Sequence, residues 1–149
     1  ADKSLSLLNL HTGESLKSTF FSDGQYHHEE IHALNILLRD HRNDQTHMMD
    51  PRLLDLLHRV QSTVSENKQI HIISAYRSPA TNELLRKNSN KVAKKSYHMQ
   101  GKAIDIRVPG VNIKHLHQAA LSMKGGGVGL YSRSNFVHLD VGRVRRWGA

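Results

Sequence analysis

Several short stretches of the chain alternate apolar and polar residues, as strands with one buried face do. They are residues 5–10, 16–21, 70–75, 101–108, 128–131 and 135–141. Gly13 lies in the turn between the first two stretches, and a polar turn of residues 132–134 separates the last two. Each of these pairs is therefore predicted to form a β-hairpin.

Four other stretches carry apolar residues at helical spacing. The first helix is predicted to start with Ser22 or Asp23 as its N-cap and to run to about residue 41. The second helix is predicted to start with Asp50 as its cap and Pro51 in its first turn, the third opens at Ser78-Pro79, and the fourth spans residues 112–123. The order of elements predicts a single α+β domain over residues 1–149, with helices packed on a mainly antiparallel sheet.

The composition limits the possible chemistry. The chain contains no cysteine, which excludes thiolate zinc sites and cysteine nucleophiles. No apolar run approaches the roughly 18 residues of a membrane span. The chain opens at Ala1 without a charged segment followed by an apolar one, so we expect either a cytosolic protein or one whose signal peptide has been removed. The number of subunits does not follow from the sequence.

The formal charge of +8 predicts an anionic partner, and both nucleic acid and the cell wall are anionic. The basic residues are scattered along the chain, however, and cluster only at residues 94–95 and 143–146. No aromatic stacking platform or nucleic-acid motif lies beside these clusters. We therefore do not expect nucleic acid as a partner.

A histidine and an aspartate seven residues apart predict part of a metal site. Gly101 lies between His98 and Asp105 and allows a sharp turn, after which Asp105 follows on a predicted strand, facing away from the apolar layer. His138, on the last predicted strand, is the candidate third ligand. Two neutral imidazoles and one carboxylate leave an open position on a tetrahedral zinc ion, as in catalytic sites. The sequence thus predicts one Zn²⁺ per chain, held by these three residues.

A second histidine pair competes for this assignment. His28 and His32 stand in the sequence His-Glu-Glu-Ile-His, which formally matches the H-E-x-x-H helix motif of another class of zinc protease. Asn35 and Leu38 occupy the positions where the metzincin members of that class carry glycine and histidine. We interpret the pair as part of a solvated helix face that can bind metal adventitiously.

The motif His98-x-x-Gly101-x-Ala103-x-Asp105, followed by His138 in a late strand, resembles the zinc peptidases that include D-Ala-D-Ala dipeptidases and carboxypeptidases, the LAS group. Further segments are similar to the MepK-type periplasmic murein endopeptidases, and the similarity covers nearly the whole chain, including residues 9–15, 74–78, 92–98 and 126–129. The resemblance implies a hedgehog/DD-peptidase-like fold and a periplasmic location after removal of a signal peptide. It also implies hydrolysis of peptide cross-links between peptidoglycan stems, especially those joining two diaminopimelate residues.

The same resemblance implies roles for residues around the metal. Arg77 matches the arginine that stabilises the oxyanion in the dipeptidases. The polar loop of residues 88–97, with Lys91, Lys94 and Lys95, is expected to form a wall of the cleft. Contacts with the substrate are expected from Tyr76, Lys95, Ser96 and Asn135.

The proton acceptor is not decided by the sequence. Several relatives carry an acid three residues before the last zinc histidine or a histidine two before it, where this chain has Asn135 and Phe136. Asp140 shares a strand face with His138, so it is either the general base or a residue that orients the His138 ring.

Two other functions stay open at this stage. One is a non-catalytic zinc-containing module that binds the cell wall, as hedgehog signalling domains related to this group have kept the fold without catalysis. The other is a D,D- or L,D-carboxypeptidase on the same fold. A competent proton acceptor beside the metal distinguishes an enzyme from the binding module.

Overall fold

The computed structural model describes residues 1–65, 68–90 and 92–149. Within these residues the chain forms a single α+β domain. The strands are β1 (Lys3–Asn9), β2 (Ser15–Ser22), β3 (Gln25–Tyr26), β4 (Ile70–Ser74), β5 (Ala103–Arg107), β6 (Gly127–Tyr131), β7 (Phe136–Asp140) and β8 (Arg145–Gly148). The helices are α1 (His28–Leu37), α2 (Pro51–Val64), α3 (Pro79–Lys87) and α4 (Ile113–Met123), and a 3₁₀ helix spans Tyr97–Gln100.

The strands join one mixed sheet in the order β3-β2-β1-β4-β5-β7-β6-β8. Both predicted hairpins, β1–β2 and β6–β7, are confirmed, and most neighbouring strands are antiparallel. β1 and β4 are parallel, as are β6 and β8, so the sheet is not purely antiparallel. The first parallel pair arises because the chain crosses through α1 and α2 before β4 returns beside β1. The sequence pattern does not predict β8, because its arginines resemble a basic cluster.

The first helix differs from its prediction. Asp23 and Gly24 have positive φ angles of 53° and 76° and form the turn between β2 and β3, so neither Ser22 nor Asp23 is an N-cap. An Asp-Gly pair is a strong hairpin signal, and it takes precedence here over helix capping. The helix starts after His27, which makes no side-chain cap, and ends at Leu37. The cap predicted for α2 is confirmed, because Asp50 accepts the backbone N–H of Arg52. Ser78 and Asn112 cap α3 and α4 in the same way, since each accepts a backbone N–H of the first turn.

Alternation along the central strands separates two faces of the sheet. Ile104 and Ile106 of β5 and Val137 and Leu139 of β7 are fully buried in one hydrophobic core with residues of α2 and α4. The residues between them therefore point to the opposite face, which carries the candidate site. Among the described residues, no helix combines the length and apolar character needed to cross a membrane.

Candidate active site

Strand register brings two of the predicted metal ligands together. Asp105 of β5 lies directly opposite His138 of β7, and directly opposite residues in neighbouring strands share a face. The Nδ1 atom of His138 is 2.9 Å from Oδ1 of Asp105. The two side chains are thus adjacent although 33 residues separate them along the chain.

The third predicted ligand, His98, comes from the 3₁₀ helix before β5. The hydroxyl of Ser96 caps this helix by accepting the His98 backbone N–H at 3.1 Å. Gly101 ends it with φ 68°, and a Cβ there would lie 2.4 Å from the carbonyl oxygen of Met48. The His98 ring donates from Nδ1 to the carbonyl oxygen of Ala75 at 2.7 Å, since a carbonyl only accepts. Its Nε2 atom faces the carboxylate of Asp105, 3.4 Å from Oδ1.

The three side chains suit a zinc ion. One ligand atom from each of His98, Asp105 and His138 lies within 4.8 Å of the other two, and within the described part of the chain no other such group of three was found. Two imidazole nitrogens and a carboxylate oxygen are a donor set of catalytic zinc sites. Burial would raise the pKa of Asp105, but the rings of His98 and His138 lower it well below its ordinary value, so the carboxylate is ionised.

Asp140 holds the far side of the His138 ring. Its Oδ2 accepts from Nε2 of His138 at 2.8 Å and from Arg145 at 2.8 Å, while Oδ1 accepts from Arg145 and from the backbone N–H groups of Gly127 and Gly142, each at 3.0 Å. Its side chain is fully buried. Burial would raise the pKa of Asp140, but these hydrogen bonds lower it well below its ordinary value. Asp140 is therefore a buried, ionised and fully hydrogen-bonded carboxylate.

Arg77 follows β4 and lines the cleft that contains the three candidate ligands. Its backbone N–H donates to the carbonyl oxygen of His98 at 3.1 Å. Its guanidinium donates to the amide oxygen of Asn82 at 3.1 Å, and Nε has no hydrogen-bond partner among the described residues. Burial lowers the pKa of Arg77 from its ordinary value.

The cleft encloses about 420 Å³ and has two chemically different parts. β4 and β6 lie on opposite sides of the β5–β7 pair that carries Asp105 and His138. Arg77 after β4 and the loop before the 3₁₀ helix supply cations, including Lys95. The cleft therefore offers positive charge on the side of β4.

An aromatic surface extends from His138 toward the edge of the sheet. Tyr131 and Phe136 are directly opposite in β6 and β7, and their rings stack with centroids 4.6 Å apart. Trp147 of β8 donates from Nε1 to the Tyr131 hydroxyl at 2.9 Å, and its ring centroid is 5.1 Å from that of His138. Gly129 lies opposite both His138 and Trp147, and a Cβ there would be 2.5 Å from the Trp147 ring. A side chain at this position would displace the tryptophan.

The predicted substrate residues are not all brought to the cleft. Lys95 and Ser96 line it, although the Ser96 hydroxyl is used as a helix cap. Tyr76 lies outside the lining because it is buried and stacks on His47 at 5.0 Å. Asn135 is exposed in the turn before β7, with φ 56°, and is also outside the lining.

Three other predicted residues also lie away from the cleft lining. Lys94 is exposed, and His28 and His32 lie on the exposed face of α1. Lys91, also expected in the wall, lies outside the described residues. Of the competing histidine pairs, the α1 pair is thus remote from the chemistry assembled on β5 and β7.

Sequence reasoning missed several residues of the cleft. Arg145 clamps Asp140 and lies beside the rings of Tyr97 and Trp147, with its guanidinium carbon 5.5 and 5.0 Å from their centroids. Arg145 and Trp147 stand two residues apart, and this strand-like spacing was the available signal. Asn82, which accepts a hydrogen bond from Arg77, could not be recognised from the sequence. Nothing in the sequence distinguishes a buried amide from an exposed polar residue of a surface helix.

A two-histidine, one-carboxylate group in an open cleft on an α+β sheet is typical of hydrolytic zinc sites. The family model described as Peptidoglycan L,D-endopeptidase MepK matches residues 1–147, and the chain belongs to this peptidase M15 family.

Two relatives illustrate the similarity. Peptidoglycan L,D-endopeptidase MepK of Escherichia coli (strain K12) is 48% identical over 143 residues, which are 96% of this chain and 79% of the relative. A probable peptidoglycan L,D-endopeptidase MepK of Haemophilus influenzae is 41% identical over 144 residues, 96% of this chain and 77% of the relative. No solved structure matches the chain significantly.

Proposed function

We propose that this protein is a zinc-dependent murein endopeptidase of the periplasm that hydrolyses peptidoglycan cross-links joining two diaminopimelate residues. The observation that carries the proposal is the convergence of His98, Asp105 and His138, whose ligand atoms lie within 4.8 Å of one another. Support also comes from the relatives, which are named peptidoglycan L,D-endopeptidases.

The residues around the metal site have separate tasks in this proposal. Bound zinc supplies a Lewis acid that polarises the scissile carbonyl and activates water at neutral pH. The carbonyl oxygen of Ala75 and the carboxylate of Asp140 fix the outer nitrogens of His98 and His138, so both rings are oriented before metal binds.

We assign Asp140 to orientation of His138 and not to proton transfer. A general base needs a free lone pair within reach of the reacting water. The five hydrogen bonds of Asp140 occupy both oxygens, and its lowered pKa makes it a weak base. Orientation explains all of these contacts, and the proton acceptor that an enzyme needs is then supplied by the metal centre or by a carboxylate of the substrate.

Arg77 is proposed to stabilise the oxyanion that forms when water attacks the scissile carbonyl. An oxyanion donor must carry positive charge or an N–H group that the protein leaves available. Arg77 fits, because it is a cation that lines the cleft and its hydrogen-bond acceptor Asn82 is a neutral amide, which leaves the charge in place.

The two parts of the cleft match the proposed substrate. A diaminopimelate cross-link carries carboxylates, which Lys95 can bind, and methylene groups, which can pack on the rings of Trp147 and Tyr131. The positive charge of the chain further favours the anionic cell wall as the site of action.

Digestion of purified sacculi, with mass-spectrometric identification of the products, tests the proposal. We expect the zinc-loaded protein to release peptides cut at the bond between two diaminopimelate residues, and a chelator to stop the release until zinc is restored. His138→Ala is the matched inactive control. Release of single terminal residues would instead indicate a carboxypeptidase, and binding without any product would indicate a cell-wall-binding module.

A further inference from the structure

Asn82 lies between Arg77 and a wall of the cleft. It belongs to α3, and its side chain is almost completely buried, with 2% exposed. The amide oxygen accepts from Nη1 of Arg77 at 3.1 Å, and the amide nitrogen donates to the carbonyl oxygen of Ala93 at 3.0 Å. One buried amide thus contacts both the guanidinium and the loop that carries Lys95.

The helix that carries Asn82 is itself fixed. The Ser78 hydroxyl accepts the backbone N–H of Thr81 at 3.2 Å and caps α3. The backbone N–H of Ser78 in turn donates to the buried carboxylate of Asp40 at 3.0 Å. A rigid anchor of this kind sets the position of the Arg77 guanidinium, which by itself is a long and flexible side chain.

The chemical nature of the anchor matters for the charge of Arg77. A carboxylate at position 82 would bind the guanidinium more tightly but would also neutralise it. An amide accepts one hydrogen bond and leaves the charge in place. Within the described residues, Arg77 takes part in none of the ion pairs found.

We propose that Asn82 is a positioning residue: it fixes the Arg77 guanidinium against the cleft wall and leaves its charge available to the reacting carbonyl. The inference rests on the role given to Arg77 in the proposed function.

A double-mutant cycle between Asn82→Asp and Arg77→Ala tests the inference, with turnover on a cross-linked peptide as the readout. Arg77→Ala is expected to lower turnover by about a hundredfold, the typical cost of removing an oxyanion donor. Asn82→Asp, which is nearly isosteric, is expected to lower it by about ten- to a hundredfold, because a carboxylate at this position neutralises the guanidinium. In the Arg77→Ala background, Asn82→Asp should cause no further loss.

Two further variants separate positioning from general destabilisation. Asn82→Ser keeps a neutral side chain but withdraws it from Arg77, and its loss of turnover should also vanish in the Arg77→Ala background. Leu84→Gly weakens the same helix at an exposed position that takes no part in this anchor, and it should lower the melting temperature while turnover stays near normal. Zinc content should be unchanged in all of these proteins.

The outcomes distinguish a failure of the oxyanion role of Arg77 from a failure of the positioning role of Asn82. If Arg77→Ala keeps full turnover, the oxyanion role of Arg77 is wrong and the positioning role is wrong with it. If Arg77→Ala is impaired but Asn82→Asp and Asn82→Ser lower turnover by the same factor with and without Arg77, Asn82 acts on folding alone. That result would overturn this inference and leave the proposed function intact.

Discussion

The His138 ring is held between two carboxylates, with Nε2 at 2.8 Å from Oδ2 of Asp140 and Nδ1 at 2.9 Å from Oδ1 of Asp105. The nitrogen that faces the candidate metal ligands is therefore Nδ1, and the outer nitrogen is Nε2. Asp140 lies on the outer side of the ring, away from Asp105. His138 is thus the candidate ligand through Nδ1, and Asp140 is the residue that orients its ring through Nε2.

Substitution of Asp140 by asparagine tests this division. We expect zinc affinity to fall by about 10- to 100-fold, as it does when a partner of a metal-bound histidine is lost. Turnover measured at saturating zinc should recover to within about tenfold of the wild type, because the substitution leaves the reacting groups in place. Competition with a chromogenic chelator gives the affinity. Normal zinc affinity with a turnover loss far above a hundredfold would instead make Asp140 the general base.

The metal content of ligand variants tests the site itself. We expect about one zinc ion per wild-type chain, lost in His98→Ala, Asp105→Ala and His138→Ala, because three ligands are the minimum of a catalytic zinc site. Metal analysis of dialysed protein provides the measurement.

His28→Ala and His32→Ala are the matched controls for this measurement, and both should keep zinc and activity. If these two variants lost zinc while His138→Ala retained it, the metal site would be the histidine pair of α1.

Gly129→Ala tests the aromatic surface. The added methyl group would lie 2.5 Å from the Trp147 ring, so the ring, which donates a hydrogen bond to Tyr131, must move. We expect KM to rise several-fold while zinc content stays normal, since Gly129 contributes no ligand. Fluorescence reports the movement directly, because Trp147 is the only tryptophan of the chain. An unchanged emission spectrum combined with an unchanged KM would show that the ring position is not needed for binding.

The stability of the α3 anchor should depend on pH through Asp40. Burial would raise the pKa of Asp40, but hydrogen bonds from the Thr81 side chain and from the backbone N–H groups of Ser78 and Arg42 lower it below its ordinary value. A lowered pKa in the folded state means that the unfolded state binds more protons in acid. The resulting stabilisation is present above about pH 4 and is lost as the pH falls through the folded-state pKa.

Urea unfolding of the wild type and of Asp40→Asn at several pH values checks this expectation. At pH 7 the variant should be less stable by about 1–3 kcal/mol, since a buried hydrogen-bonded group is replaced imperfectly. The difference in the free energy of unfolding should narrow below about pH 4. Parallel pH profiles for the two proteins would contradict a role of the Asp40 charge.

Much of the secondary structure could be predicted from local sequence. Asp50 caps its helix as predicted, and the helices after Ser78 and Asn112 start where the sequence places them, because a helix start depends on a side chain and the next two or three residues. The one wrong helix start, at Ser22 or Asp23, arose where two local signals competed and the Asp-Gly turn prevailed.

The three candidate ligands could also be chosen from the sequence. Alternation along the strands gives the face of Asp105 and of His138, and the turn at Gly101 returns His98 toward that face. These features depend on backbone geometry within a few residues, so they can be recognised from the sequence alone.

Only the tertiary structure decided which residues support those ligands. The pairing of Asp105 with His138, the clamp of Arg145 on Asp140, and the contact of Asn82 with Arg77 join separate elements. Strand register and side-chain contacts of this kind are set by packing of the whole core, which no local pattern encodes. The sequence by itself therefore determined the candidate chemistry, and the fold determined how that chemistry is oriented, because orientation depends on residues that meet only after the chain has folded.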